Sequence, residues 1–385
     1  MKIKWAFLVI LAGCFFLVMD PTSRAVNTTA IDRVRAKGVL DAQDYKVIDE
    51  FLAQAVQELV RTRDLATIAK RRTVILSRKG TQGQYAQQFS EAAHKYIQAG
   101  LEEAQTLPEE RKTSVMVNLL ILIDGLEDPR LNDLAMEMLK SDSMVVRYWA
   151  VSCLTNPAML EQLKGKTDPN PGDARMIAER LSQVVPTSNA EILYRMTRFV
   201  ANVNSPQSEQ LLLQIADERM KRYADWTVKY ELYDIAILQL LESKIPAAPS
   251  SELGGLASTA APRKPEVARR FAQLYSYAIQ RYVKGKNAGV LSDAQIRHLV
   301  SVLVDVDEKC VSQLLGQPQT AMRRAVERDS TQAVMEEHDR LLGSQSTPGQ
   351  LPTRLGFDYG TTADGARRTA PIPLSDPPAR PTTEN

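Results

Sequence analysis

Residues 128–154 read DPRLNDLAMEMLKSDSMVVRYWAVSCL, and their spacing decides the fold. Asp128 followed by Pro129 marks a helix start. A carboxylate can accept the first orphan N–H groups of a helix, and proline lacks the one N–H that no helical carbonyl would take. A short break around Asp142 follows. Then Val146, Trp149, Ala150, Cys153 and Leu154 fall on one face of a second helix. The small Ala150 on that face lets a neighbouring helix approach closely. Two short amphipathic helices joined by a tight turn lie antiparallel and bury their apolar faces against further helices.

The same periodicity extends outward in both directions. Ile48, Phe51, Leu52, Ala55, Val56 and Leu59 share one helical face, with Asp41 as its capping residue. A second helix is predicted over 65–76 and a third over about 85–107. Asn156-Pro157 and Ser205-Pro206 repeat the cap-then-proline start, Ser188 with Glu191 reads as a capping box, and Ser292 with Gln295 reads as a better one. No stretch alternates with period two, so the chain is expected to be all-α: an α-solenoid, or α-α superhelix, of antiparallel helical hairpins.

The hairpin at 128–154 resembles a HEAT repeat. The resemblance implies that Asp142 in the turn and Arg147 in the second helix form part of a ladder of charge pairs along the array, and that Val146, Ala150 and Leu154 are core. A degenerate echo, Asp225-Trp226-Thr227-Val228-Lys229 followed by Ala236 and Leu240, has one residue fewer before the valine and lysine in place of arginine. The resemblance covers roughly residues 109–241. The organisation expected from these patterns is a signal peptide at 1–25, a helical region at 26–107, HEAT-like repeats at 108–244 and a linker or long loop at 245–265. A second helical region at 266–342 and a disordered Pro/Thr-rich tail at 343–385 complete it.

The N-terminus carries an address. Lys2 and Lys4 precede an apolar run from Trp5 to Met19, and Ser23-Arg24-Ala25 supplies small residues at −3 and −1 of a cleavage site. A spanning helix needs ~20 apolar residues, more than this run provides. Export with cleavage after Ala25 is the expectation. Leu11-Ala12-Gly13-Cys14 is the rival, because it resembles a bacterial lipobox in which Cys14 is lipidated; an uncleaved anchor is the third reading. Membrane contact is expected only if Cys14 is lipidated or the signal is retained. The remaining cysteines, Cys153 and Cys310, are too few for a disulfide scaffold, so helix packing must hold the fold.

Composition excludes little beyond the extremes: 44% hydrophobic, 24% charged and a net charge of +2 is an ordinary globular balance. Two basic stretches stand out, Arg61 to Lys79 and Arg263 to Lys286, the second interleaved with Phe271, Tyr275, Tyr277 and Tyr282. The aromatics sit at core spacing, so the charges are expected to solvate the opposite face and nucleic acid is not the expected partner. No catalytic motif keeps its required context. Gly165-Lys166-Thr167 lacks the earlier glycine of a phosphate loop, since Leu160 stands there. Asp305 and Asp307 begin like a calcium loop, but Cys310 occupies its obligatory glycine position. His94, His298 and His338 are scattered, expected at the surface or in caps, so neither metal nor cofactor is expected. The expected function is an exported, non-catalytic scaffold binding a protein partner in a bacterial envelope or outside the cell. An envelope enzyme or accessory subunit with a dispersed active site is the alternative.

Overall fold

The helices that begin at Ala42, Leu65, Ala190, Pro206, Asp293 and Thr331 start where a capping side chain meets an apolar stripe. The computed structural model describes residues 28–81, 83–164, 171–245, 264–362 and 365–379. Among these the protein is all-α, with two isolated β-bridges and no strand. The signal peptide expected at 1–25, with Cys14, together with Gly165-Lys166-Thr167 and nearly all of the linker expected at 245–265, lies outside the described residues. The chain divides into two compact units, Met1–Leu122 and Ile123–Asn385.

The first unit contains α1 (Thr28–Arg35), α2 (Ala42–Arg61), α3 (Leu65–Leu76), α4 (Gly83–Gln105) and most of α5 (Glu109–Leu126). Asp41 caps α2 by accepting from the N–H groups of Gln43 and Asp44, and the Asp44 side chain accepts from the Asp41 N–H, closing a capping box. The six apolar residues predicted for one face of α2 are all buried, and α2 packs on α4 around Phe89, Ala92, Ala93 and Ile97. Gly100 marks the closest approach: a Cβ there would stand 3.2 Å from side-chain atoms of both Val60 and Leu119. Arg111 of α5 donates to the carbonyls of Val60 (2.5 Å) and Thr62 (3.1 Å), satisfying the C-terminal end of α2. Part of the first basic stretch is internal to this unit. Arg71 pairs with Glu58, and Arg78 pairs with Asp32 at 3.1 Å.

The second unit continues with α6 (Asn132–Met138), α7 (Met144–Leu154), α8 (Pro157–Lys164), α9 (Pro171–Val184), α10 (Ala190–Asn202), α11 (Pro206–Ala224) and α12 (Tyr233–Ser243). It then runs through α13 (Pro265–Asn287), α14 (Asp293–Asp305), a π-helical turn at Val306–Val311, α15 (Ser312–Leu315), α16 (Ala321–Glu327), α17 (Thr331–Leu342) and α18 (Gln350–Leu355). The decisive stretch folds as expected into the α6–α7 hairpin, with Val146, Ala150, Cys153 and Leu154 buried. Successive helices then sort into two rows, α7–α10–α12 and α9–α11–α13, as stacked hairpins require. Ser205 caps α11, and Ser292 with Gln295 closes a capping box on α14.

Several expectations are corrected. Asn189, not Ser188, caps α10, because the Ser188 hydroxyl donates to the Val184 carbonyl instead. The echo at 225–229 is not a helix start. Val228 and Lys229 lie in a loop that ends at Tyr233, and Trp226 and Tyr230 hold φ of 56° and 55°, where helices cannot propagate.

The larger correction concerns the C-terminal segment. From Gly343 to Ala379 it is not a disordered tail: Leu351, Leu355, Phe357, Tyr359 and Leu374 are buried, and the Tyr359 hydroxyl donates to the Leu342 carbonyl. This segment covers part of the polar side of α13 that the sequence assigned to solvent: Arg269 bonds Asp358 and Lys284 bonds Asp376. The average composition of 343–385 hid five apolar residues at separated positions. Cys153 and Cys310 are buried thiols outside any disulfide, both pushed upward in pKa by burial, Cys310 to about 12.

Candidate functional site

The row α7–α10–α12 carries an exposed aromatic face. On α10 the apolar stripe Ile192, Leu193, Met196, Phe199 and Val200 turns inward, which leaves Tyr194 and Arg195 pointing outward. The Tyr194 ring stacks on Tyr233 of α12 with centroids 4.5 Å apart and planes 16° from parallel, and Tyr233 stacks on Tyr230 at 5.7 Å. Arg195 lies over the Tyr148 ring of α7 at 4.5 Å, donates to its hydroxyl, and reaches the Ser152 hydroxyl at 3.3 Å. Tyr148 meets Trp149 edge-on at 5.8 Å. Tyr194 and Tyr230 remain 37% and 50% exposed, with Leu232 and Val145 open beside them. Burial, reinforced by the charge of Glu191, raises the Tyr233 pKa, so the phenol stays neutral. Broad rings with hydroxyl tips and a fixed guanidinium are the side chains that dominate protein interfaces.

The loop that delivers Tyr230 is held from beneath by buried charge. Arg219 of α11 donates to both carboxylate oxygens of Asp234 on α12, at 2.6 and 2.8 Å, and to the Lys229 carbonyl at 3.0 Å. The Tyr223 hydroxyl donates to the same carboxylate at 2.7 Å. Arg219 and Asp234 are 1% and 0% exposed. Burial works against the guanidinium, but the Asp234 charge and hydrogen bonds outweigh it and hold Arg219 firmly cationic. A second buried pair, Arg281 with Glu231 at 3.4 Å, anchors the loop from α13, and Arg281 also lies over the Trp226 ring at 5.2 Å. Neither pair is among the site residues expected from the sequence. Their signal was charge at core register: Arg219 continues the buried stripe Leu212, Ile215, Ala216, and Asp234 precedes Ile237, Leu238 and Leu241 on the same spacing.

Asp142 and Arg147 do not form the expected charge pair. Asp142 is exposed, and Arg147 donates instead to the carbonyls of Ser141 (2.6 Å), Asp142 (3.2 Å) and Thr187 (3.3 Å). Arg147 therefore does join its hairpin to the turn before α10, but through backbone oxygens. His338 is neither at the surface nor in a cap. It is buried in α17, with Nε2 2.8 Å from the Ser276 hydroxyl of α13 and Nδ1 2.8 Å from Asp339. The order serine, histidine, aspartate invites a hydrolytic reading, but Ser276 is fully buried and its oxygen accepts from Gln280 Nε2 at 2.8 Å. A serine with no access to substrate is a strut between helices.

Asp307, in the π-helical turn, is completely buried with neither oxygen hydrogen-bonded, and burial followed by the neighbouring Glu337 charge pushes its pKa up to about 7. Among the described residues no cluster of three or more His, Cys, Asp or Glu could hold a metal ion. No described helix is long and apolar enough to cross a membrane.

No family model matches this chain. No curated protein sequence matches it either. A crystal structure of an engineered protein is similar at 13% identity over 81% of this chain and 93% of that one, with a TM-score of 0.23, too low to carry an argument.

Proposed function

We propose that this protein is an exported, non-catalytic helical-repeat scaffold that binds a protein partner in the cell envelope or outside the cell. The observation that carries the reading is the stacked, exposed tyrosine face of α7, α10 and α12 with Arg195 fixed beside it. Aromatic rings and arginine give large contact area at low entropic loss, and a face spread over successive hairpins suits a macromolecule better than a small substrate. The HEAT resemblance of 128–154 points the same way, since such arrays present extended surfaces to partners. Export rests on Lys2 to Ala25, with lipidation at Cys14 as the competing route to the same compartment.

The test places a photo-crosslinking residue at Tyr194 in intact cells. The reading requires one reproducible envelope protein, lost in a Tyr194→Ala/Tyr230→Ala variant whose helicity is unchanged. Capture that survives the double substitution would move the interface elsewhere. Absence of any partner, combined with turnover of an envelope-derived substrate by the purified protein, would end the scaffold reading. Intact mass of the native protein decides between a chain starting at Val26 and one starting at lipidated Cys14.

A further inference from the structure

Residues 371–376, Pro-Ile-Pro-Leu-Ser-Asp, run along α13 in extended form, and the contacts they make are those of a bound peptide. Gln273 holds Ile372 from both sides: its Nε2 donates to the Ile372 carbonyl at 3.0 Å and its Oε1 accepts the Ile372 N–H at 2.8 Å. Two helical turns along the same helix, Gln280 Oε1 accepts the Leu374 N–H at 2.7 Å, and Lys284 then donates to the Leu374 carbonyl at 2.6 Å and to Asp376 at 2.8 Å. From the α11–α12 loop, the Trp226 indole donates to the Ser375 carbonyl at 3.1 Å, and the Ser375 hydroxyl donates to the Ala224 carbonyl at 2.8 Å.

Three features separate this from ordinary packing of a loop on a helix. The side chains of α13 satisfy main-chain groups of the segment in sequence, so they recognise an extended backbone more than a particular set of side chains. Prolines occupy 371 and 373 while the N–H groups at 372 and 374 each meet a carboxamide oxygen, so donors occur where acceptors exist and are missing between them. Burial recurs with period three: Pro371 and Leu374 are buried, Pro377 is half-buried, and Ile372 is 46% exposed. Three residues per turn is the period of a polyproline II helix, whose low conformational entropy favours recognition by aromatic-lined grooves. The segment has few apolar anchors of its own, so its attachment to the chain supplies much of its occupancy through high effective concentration.

We infer that the groove formed by Gln273, Gln280, Lys284 and Trp226 is a recognition site for an extended, proline-spaced peptide with a leucine and a following acid, and that residues 371–376 are its tethered occupant, displaced when a partner carrying such a segment binds. The inference rests on the reading that this protein binds proteins, but it does not use the tyrosine face. Loss of the tyrosine face as the interface leaves the groove standing, and a groove that takes no peptide leaves the tyrosine face untouched.

The probe is a fluorescent peptide with the sequence of residues 370–377, titrated against the full chain by anisotropy. Leu374→Glu should release the internal segment, because it puts a charge into a buried apolar position; wild type should bind the peptide at least tenfold more weakly than this variant. Adding Gln273→Ala to Leu374→Glu should remove at least tenfold of the gained affinity. A second arm leaves the groove and its occupant unaltered in sequence: a protease site inserted between Gly365 and Ala366, in an exposed turn, is cut after folding. The freed C-terminal fragment should then exchange with excess labelled peptide. The inference is overturned if a helical Leu374→Glu protein gains no peptide affinity, if Gln273→Ala leaves the gain unchanged, or if the cut fragment never exchanges.

Discussion

Replacing Asp234 with alanine should destabilise the second unit far more than the loss of one side chain suggests. The carboxylate accepts two guanidinium bonds and one phenol bond while fully buried. Its removal strands Arg219, itself 1% exposed, with only the Lys229 carbonyl and the weaker pull of the Glu231 charge to compensate. Breaking a buried pair from one side costs about 3–5 kcal/mol, because the surviving charge stays desolvated. Removing both charges is a different perturbation: Arg219→Met/Asp234→Ala leaves an apolar contact and an orphaned Tyr223 hydroxyl, for a loss of about 1–3 kcal/mol. The double variant should therefore be more stable than Asp234→Ala alone, with a coupling of at least ~2 kcal/mol. Urea unfolding followed by tryptophan emission reads this unit selectively. In a chain starting at Val26, as proposed above, the remaining tryptophans are Trp149 and Trp226, both in the second unit. A loss below ~1 kcal/mol for Asp234→Ala, or simple additivity in the double variant, would refute the claim that this pair holds the α11–α12 loop.

Three further outcomes are expected. Asp307→Asn should stabilise the protein at pH 8 and have little effect at pH 4. The folded-state pKa of about 7 lies above the ordinary 3.8, so the contribution of the protonated acid is lost as pH rises through 7. At 1.36 kcal/mol per tenfold the difference is at most about 4 kcal/mol, and equal melting shifts at both pH values would contradict it. Arg147→Ala should cost about 1–3 kcal/mol through loss of its three carbonyl contacts, whereas Asp142→Ala should stay within ~0.5 kcal/mol; equal losses in thermal melts would restore the charge-pair ladder. A chain ending at Leu342 should melt lower and less cooperatively than the full protein, since it removes Leu351, Leu355, Phe357 and Tyr359 from the core; an unchanged calorimetric transition would return the segment to solvent.

What could be read from the sequence was what neighbouring residues decide. The α2 stripe, the limits of α3, and the caps at Asp41, Ser205 and Ser292 depend on residues within a few positions, and periodicity reports them. The aromatic face was half legible. Tyr194 stood out of register with its stripe, but its stacking on Tyr233 depends on two helices meeting and on the left-handed turn at Tyr230. Residues 343–379 were misread because their partners lie far back in the chain, on α13. Nothing local marks Gln273 and Gln280 on this basic helix, and only the arrival of Ile372 and Leu374 gives their carboxamide oxygens N–H groups to accept from. Arg219 and Asp234 were legible in principle as opposite charges at core register, but each alone resembles an ordinary surface residue.

The separation between α13 and its covering segment also sets a schedule. Ile372 follows Gln273 by 99 residues. At a synthesis rate of about 5–20 residues per second, α13 leaves the ribosome roughly 5–20 s before the segment that covers it. Helix pairing within a row takes far less time than that. During every round of synthesis, therefore, α11, α12 and α13 can assemble while the polar edge of α13 still faces water. A chaperone or partner present at that moment meets the groove before residues 371–376 are there to compete for it, and their arrival closes it.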